Sequence, residues 1–240
     1  MKDILQDIVA HTHSLGFLSI VKVSGENETT IDSMADDRSV ILGARTNHKI
    51  AEGVFGMPNL EKLALHLKNP EYQKDAKIDV VSAERNGEVV PTHIHFENAA
   101  GDFQNDYRFM NKAIIEEKLK TVKFKGASWN VTFSPNEAAI TRMKYQAAAH
   151  SEEPTFNVKT VDSNLVFSFG DASTHAGEFD FEKDVEGTLQ HTWSWPVSQV
   201  QAILGLTGDK TMSISDQGAM QISVDSGIAT YDYILPAQSK

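Results

Sequence analysis

The chain has 240 residues, 40% of them hydrophobic and 23% charged, with a formal charge of −11 and no cysteine. That length suits one large domain or two ordinary ones, and the missing cysteines exclude disulfides, thiolate zinc sites and thiol nucleophiles. The net charge argues against a positive surface spread over the whole molecule, but the acid is uneven: residues 1–126 carry a net −3 and residues 127–240 a net −8. The start, "MKDILQDIVAHTH", lacks the basic end and small-residue cleavage site of a signal peptide, and no apolar run approaches the roughly 18 residues that span a bilayer. A cytoplasmic protein is expected.

In chain order, the first predicted helix runs from Asp3 to about Ser14, with Ile4, Leu5, Ile8, Val9 and Thr12 at helical spacing and Gly16 as its stop. "FLSIVKVSG" reads as a strand ending in a turn. A second helix is predicted from Asn59, as cap, to about Lys68, with Leu60, Leu63, Ala64 and Leu67 on one stripe. "IDVVSAERNGEVVPTHIHF" reads as a hairpin with Asn86-Gly87 at its tip. In "SPNEAAITRMKYQAAAH", Ser134 and Glu137 suit a capping box with Pro135 at the first helical position, and Ile140, Met143 and Ala147 form the buried stripe. "FNVKTVDSNLVFSFG" is a second hairpin, turning at Asp162 to Asn164. A fourth helix is predicted from Pro196 to Gly208, with Val197, Val200, Ile203 and Leu204 inside. "TMSISDQGAMQISVDSGIATYDYILP" reads as three strands.

The order helix, hairpin, further strand, helix, further strands occurs twice. Pro58 and Pro196, before the second and fourth helices, stand 138 residues apart. This pattern predicts a duplicated α+β unit with mostly antiparallel strands. The expected domains are 1–125 and 126–240, with residues 111–125 as an interdomain connector, extended or a short helix.

Motifs for chemistry are few. His93 and His95, at i and i+2 on a strand, point the same way and could share a metal ion, but neither a third ligand nor an H-E-x-x-H pattern accompanies them. The plainer reading is a solvated strand face. No G-x-S-x-G, P-loop or G-x-G-x-x-G is present. No cofactor and no catalysis are expected. A small β-rich metalloenzyme using His93 and His95, and a phage structural or assembly protein, stand as alternatives.

The duplicated two-helix unit, together with "NDYRFMNKAIIEEKL", "AAITRMKY", "NLVFSFG…HAGEFDFEKD" and the terminal "ATYDYILPA", resembles the DNA polymerase sliding clamps. These include the proliferating-cell nuclear antigen type and, most closely, those of tailed phages. The resemblance covers essentially the whole chain. It implies a homotrimeric ring of duplicated clamp domains, with helices lining a central hole and antiparallel sheets outside. Such a ring encircles double-stranded DNA, tethers the replicative polymerase as a processivity factor, is opened by a clamp loader and does no chemistry. In an infected cell it would act in the host cytoplasm.

Three residue sets follow. The helix faces opposite the buried stripes offer Lys62, His66 and Lys68 on the second helix and Arg142 and Lys144 on the third, beside Ala138, Tyr145 and Ala149. These would meet DNA loosely and without sequence preference. The fourth helix offers only neutral residues there, and the first offers Asp3 and Asp7, the wrong sign. By resemblance, Ile114, Ile115 and Leu119 of the connector and Tyr233, Leu235 and Pro236 of the tail would wall a groove for partner peptides. The alternative for the tail is a core strand, and alternation allows both. The resemblance also places the subunit interface at two edge strands. One, 106–112, carries Arg108 and Lys112. The other, about 177–185, carries Glu178, Asp180, Glu182 and Asp184 interleaved with Phe179 and Phe181. A bare acidic edge repels copies of itself yet accepts a basic strand.

Overall fold

In a computed structural model, the structure describes residues 1–26, 28–85, 87–120, 124, 126–173 and 175–238. Asn86 of the predicted hairpin tip and residues 121–123 and 125 of the predicted connector lie outside the described residues. The chain divides into two units. The first comprises Met1–Arg38, Leu42–Val122 and Ser226–Tyr231; the second comprises Ser39–Ile41, Lys123–Asp225 and Asp232–Lys240.

The first unit opens with α1 (Lys2–His11), followed by β1 (Val21–Gly25), β2 (Thr29–Met34), β3 (Ile41–Thr46) and β4 (Gly53–Met57). Then come α2 (Leu60–Lys68), β5 (Lys77–Arg85), β6 (Glu88–Glu97), β7 (Gln104–Arg108) and α3 (Lys112–Lys118). The second has β8 (Val131–Phe133), α4 (Glu137–Ala149), β9 (Thr155–Val161), β10 (Asn164–Phe169), β11 (Gly177–Glu182) and β12 (Trp193–Pro196). It continues with α5 (Val197–Leu204), β13 (Asp209–Ser215), β14 (Ala219–Asp225) and β15 (Thr230–Pro236). The strands run in the order β4-β1-β2-β3 and β5-β6-β7 in the first unit, and β12-β9-β10-β11 and β15-β14-β13-β8 in the second. Helix, four strands, helix, three strands therefore occurs twice, and the first four strands take the same spatial order both times. The fold is α+β and duplicated. Antiparallel pairing joins β1 to β2 and β4, β6 to β5 and β7, β9 to β10 and β12, β10 to β11, and β13 to β8 and β14.

The helix stripes pack as their spacing dictates. Ile4, Leu5, Ile8 and Val9 of α1, Leu60, Leu63, Ala64 and Leu67 of α2, and Ile140, Met143 and Ala147 of α4 are all buried. The predicted caps differ. Asn59 precedes α2 in a left-handed conformation and makes no side-chain cap bond. At α4 the cap is Asn136, whose Oδ1 accepts the Ala139 amide at 2.9 Å, so the Ser134–Glu137 box does not form and Pro135 lies before the cap. α5 ends at Leu204 with Gly205 as its cap, and Gly208, at φ 116°, belongs to the turn beyond. The hairpin β9–β10 turns at Asp162 and Ser163 with φ 48° and 66°, the paired left-handed conformations that match the twist of a two-residue hairpin.

One side chain of α1 departs from the predicted polar face. Asp7 turns inward, where its Oδ2 accepts from the Tyr231 hydroxyl at 2.7 Å and from Ser226 Oγ at 2.9 Å. The His11 ring stacks on Tyr231 with centroids 4.2 Å apart. Burial alone would raise the Asp7 pKa, but the hydrogen bonds from His11, Tyr231 and Ser226 outweigh it and hold the carboxyl below its ordinary value. A depressed carboxyl stabilises the fold above its unfolded pKa of about 3.9, and that contribution fades as pH falls through the folded value. Asp7→Asn therefore costs about 1–3 kcal/mol at pH 7 in urea unfolding, and the gap to the parent chain closes in acid. A gap of the same size at acid pH contradicts this assignment.

Candidate nucleic-acid and partner interfaces

On α2, the exposed residues are Glu61, Lys62, Leu65 and Lys68. His66, predicted among them, is half-buried with its ring against Phe96 at 5.1 Å. Burial first, and then the Lys62 charge, push its pKa down, so it is a neutral packing residue at pH 7 and leaves the cationic set. On α4, Arg142, Lys144 and Tyr145 are exposed beside Ala138, Thr141, Ala148 and Ala149. Among the described residues, Lys62, Lys68, Arg142 and Lys144 take part in no ion pair. With Asp7 turned inward, α1 offers Asp3, Gln6 and Ala10, which is less acidic than the sequence suggests.

The predicted interface strands are both outermost in their sheets. β7 pairs only with β6, and β11 only with β10, among the described residues. β7 ends at Arg108. Lys112 is instead the first residue of α3, because Asn111 caps that helix by accepting the Ile114 amide at 3.0 Å. Arg108 donates to Asp106 at 3.2 Å and is 68% exposed. On β11, Phe181 stacks on Phe167 at 4.1 Å and is fully enclosed, so it is a core residue and leaves the predicted contact set. Phe179 is half-buried. Asp180 accepts from Asn164, and Glu178 lies 3.8 Å from Lys159. A shallow cavity of about 430 Å³ runs along this edge, lined by Lys159, Val161, Asn164, Val166, Phe179 and Asp180. It leaves room for a side chain from another molecule.

The predicted groove residues separate into two classes. Ile114 of α3 is 44% exposed, and Pro236 is exposed. Ile115 and Leu119 are buried, Ile115 lying where Gly56 would otherwise carry a Cβ only 2.9 Å from it. Tyr233 and Leu235 are fully buried. Enclosed side chains cannot touch a docked peptide, so these four leave the predicted contact set and pack in the interior of their own units. The sequence reading overlooked an aromatic pair, exposed Phe124 and half-buried Trp129, with ring centroids 6.0 Å apart. Two aromatics in the polar run "KFKGASW" were the available signal.

His93 and His95 are held within the sheet surface. His95 Nδ1 bonds Asp106 at 2.9 Å, which raises the His95 pKa, and His93 Nδ1 lies 2.9 Å from Thr92 Oγ1. Among the described residues no group of three or more His, Asp or Glu is placed to hold a metal ion.

Solved structures share this architecture along the whole chain. A structure of Archaeoglobus fulgidus proliferating-cell nuclear antigen (PCNA) with the C-terminal region of FEN-1 bound matches with a TM-score of 0.68 at 11% identity, over 100% of this chain and 95% of that one. The fold is that of the PCNA clamps. PCNA from Thermococcus kodakaraensis matches at 0.67 and 10% identity, over 99% and 97% of the two chains. That from Entamoeba histolytica matches at 0.66 and 9% identity, over 99% and 94%. No protein-family model and no curated protein matches the sequence. The clamp fold thus persists here at a sequence distance where only the architecture is shared. No helix among the described residues is long and apolar enough to cross a membrane.

Proposed function

We propose that this protein is a sliding clamp that encircles double-stranded DNA and tethers the replicative DNA polymerase as a processivity factor. The observation that carries the reading is the match of both repeated units, over the full chain, to the PCNA clamp fold. A clamp acts by topology and loose charge, not by catalysis. Four cations on two helices, in no ion pair among the described residues and each with a buried stripe behind it, suit that role. Closure as a homotrimer through β7 of one copy and β11 of the next is supported by the open outer sides of both strands. Residues 106–108 on β7, with Glu178, Phe179, Asp180 and Glu182 on β11, form the proposed contact. Partner peptides, from the polymerase and from an ATP-driven clamp loader, are proposed to use exposed apolar residues, Ile114 of the first unit or, in the second, Phe124 and Pro236. The tailed-phage type, and with it the infected cytoplasm, rests on the resemblance of the quoted sequence stretches.

The DNA contact is tested by Lys62→Ala, Lys68→Ala, Arg142→Ala and Lys144→Ala together. Each phosphate-contacting cation removed lowers the salt slope of binding by about 0.9. Clamp-dependent processive synthesis falls, while the mass in light scattering stays that of the parent protein. Unchanged synthesis at moderate salt removes these residues as the contact.

A further inference from the structure

Tyr145 is 72% exposed, yet its helix is firmly placed: Ala139, Ile140, Met143 and Ala147 bury the other side of α4. Its neighbours one turn away on the helix surface are Thr141 and Arg142 before it, and Ala148 and Ala149 after it. All are exposed, and all but Arg142 are small, so the ring stands clear. Lys144 adjoins it. Residues 127–240 hold only six Lys and Arg against fourteen acids, and two of those six stand on this face. Neither is in an ion pair among the described residues. The acid on the helix itself, Glu137, is eight residues from Tyr145, about 12 Å along the axis. A cationic island with a bare aromatic, in an acidic unit, complements a polyanion that carries flat rings.

We infer that this face of α4 binds unpaired nucleotides, with Tyr145 stacking on a base and Arg142, one turn away, meeting the adjoining phosphate. The inference rests on the sliding-clamp reading in taking nucleic acid as the ligand, and adds a strand preference to it. Phosphate contact needs only the cations and is the same for either form. A stacking platform finds no partner in a duplex, where base faces are already covered, whereas a single strand offers every base. A clamp so equipped slides freely on duplex and is held where a template becomes single-stranded.

Fluorescence anisotropy with a labelled oligothymidylate and with a duplex of equal length separates the two contributions. Tyr145→Ala weakens binding to the oligothymidylate by about 5- to 100-fold and leaves the duplex affinity unchanged, while Tyr145→Phe, which keeps the ring, binds both as the parent does. Arg142→Ala weakens both. If Tyr145→Ala leaves single-strand affinity intact while Arg142→Ala still weakens both forms, the stacking inference falls and the clamp reading stands. If the parent protein binds neither form, the stacking inference falls, and the clamp reading is decided separately by the processive-synthesis assay. If Tyr145→Ala changes the mass in light scattering, a second copy of the chain covers this face and the inference is overturned.

Discussion

Tyr233→Ala lowers the free energy of unfolding by about 3–5 kcal/mol, the cost of emptying an aromatic site inside a packed core. Tyr233 and Leu235 are 0% exposed, and the Trp195 indole, also enclosed, donates its Nε1–H to the Leu235 carbonyl at 3.1 Å. The ring is therefore fully enclosed on a strand whose next inward residue is tied to a buried indole, and its removal empties a packed site. Urea unfolding of the parent, of Tyr233→Ala and of Pro236→Ala checks this. The proline is exposed, so its replacement changes stability by no more than about 0.5 kcal/mol. If Tyr233→Ala costs less than about 1 kcal/mol and weakens peptide binding instead, the tail is a surface wall and not a core strand.

Arg108→Glu shifts the proposed trimer toward monomers, most strongly at low salt. Arg108 is the one cation of β7, and it already holds Asp106 at 3.2 Å. Reversing it places two acids together on that edge and turns them toward Glu178, Asp180 and Glu182 of the proposed partner strand. An exposed pair is worth only about 0–1 kcal/mol, so ladder hydrogen bonds and the half-buried Phe179 supply most of the affinity, and charge mainly selects the partner and sets the association rate. Like-charge repulsion acts directly against that selection. Light-scattering mass at several concentrations and two salt strengths reads the effect, and Asp180→Lys in the same chain partly restores the ring. A trimer indifferent to both changes excludes this pair of edges. An open filament in the parent protein would show that the head-to-tail contact fails to close.

The helical stripes were legible in the sequence because they depend on neighbours three and four residues apart, and every predicted stripe residue of α1, α2 and α4 is buried. Hairpins were legible for the same local reason: Asp162-Ser163 sits between two alternating runs. What failed depended on distant partners. Asp7 reads as one more acid on a polar face, but Ser226 and Tyr231, more than 200 residues later, draw it inside. Phe179 and Phe181 are indistinguishable by alternation, and both meet the Phe167 ring; Phe181 is the one that lies flat on it and also meets Phe133. The tail presents a different difficulty. Tyr231, Tyr233 and Leu235 share a fully buried face, while on the other Ile234 is buried, Thr230 and Asp232 are half-buried and Pro236 is exposed, so one buried residue on the outer face blurred the alternation. The cap of α4 was a choice between two competent residues, Ser134 and Asn136, in the same four-letter stretch. His66 looked like a free ring because its partner, Phe96, lies on a strand 30 residues away.

The hydrogen bonds of Asp7 impose an order on synthesis. Residues 226–231 belong to the first unit although they follow the whole of β1–β14, and the first helix cannot complete its carboxylate network before they exist. Domains usually fold one after another as a chain leaves the ribosome. Here the amino-terminal unit must wait, with its sheets partly built, until residue 231 has emerged. Nascent chains shorter than this leave the interior side of α1 without its Ser226 and Tyr231 partners, which favours chaperone capture.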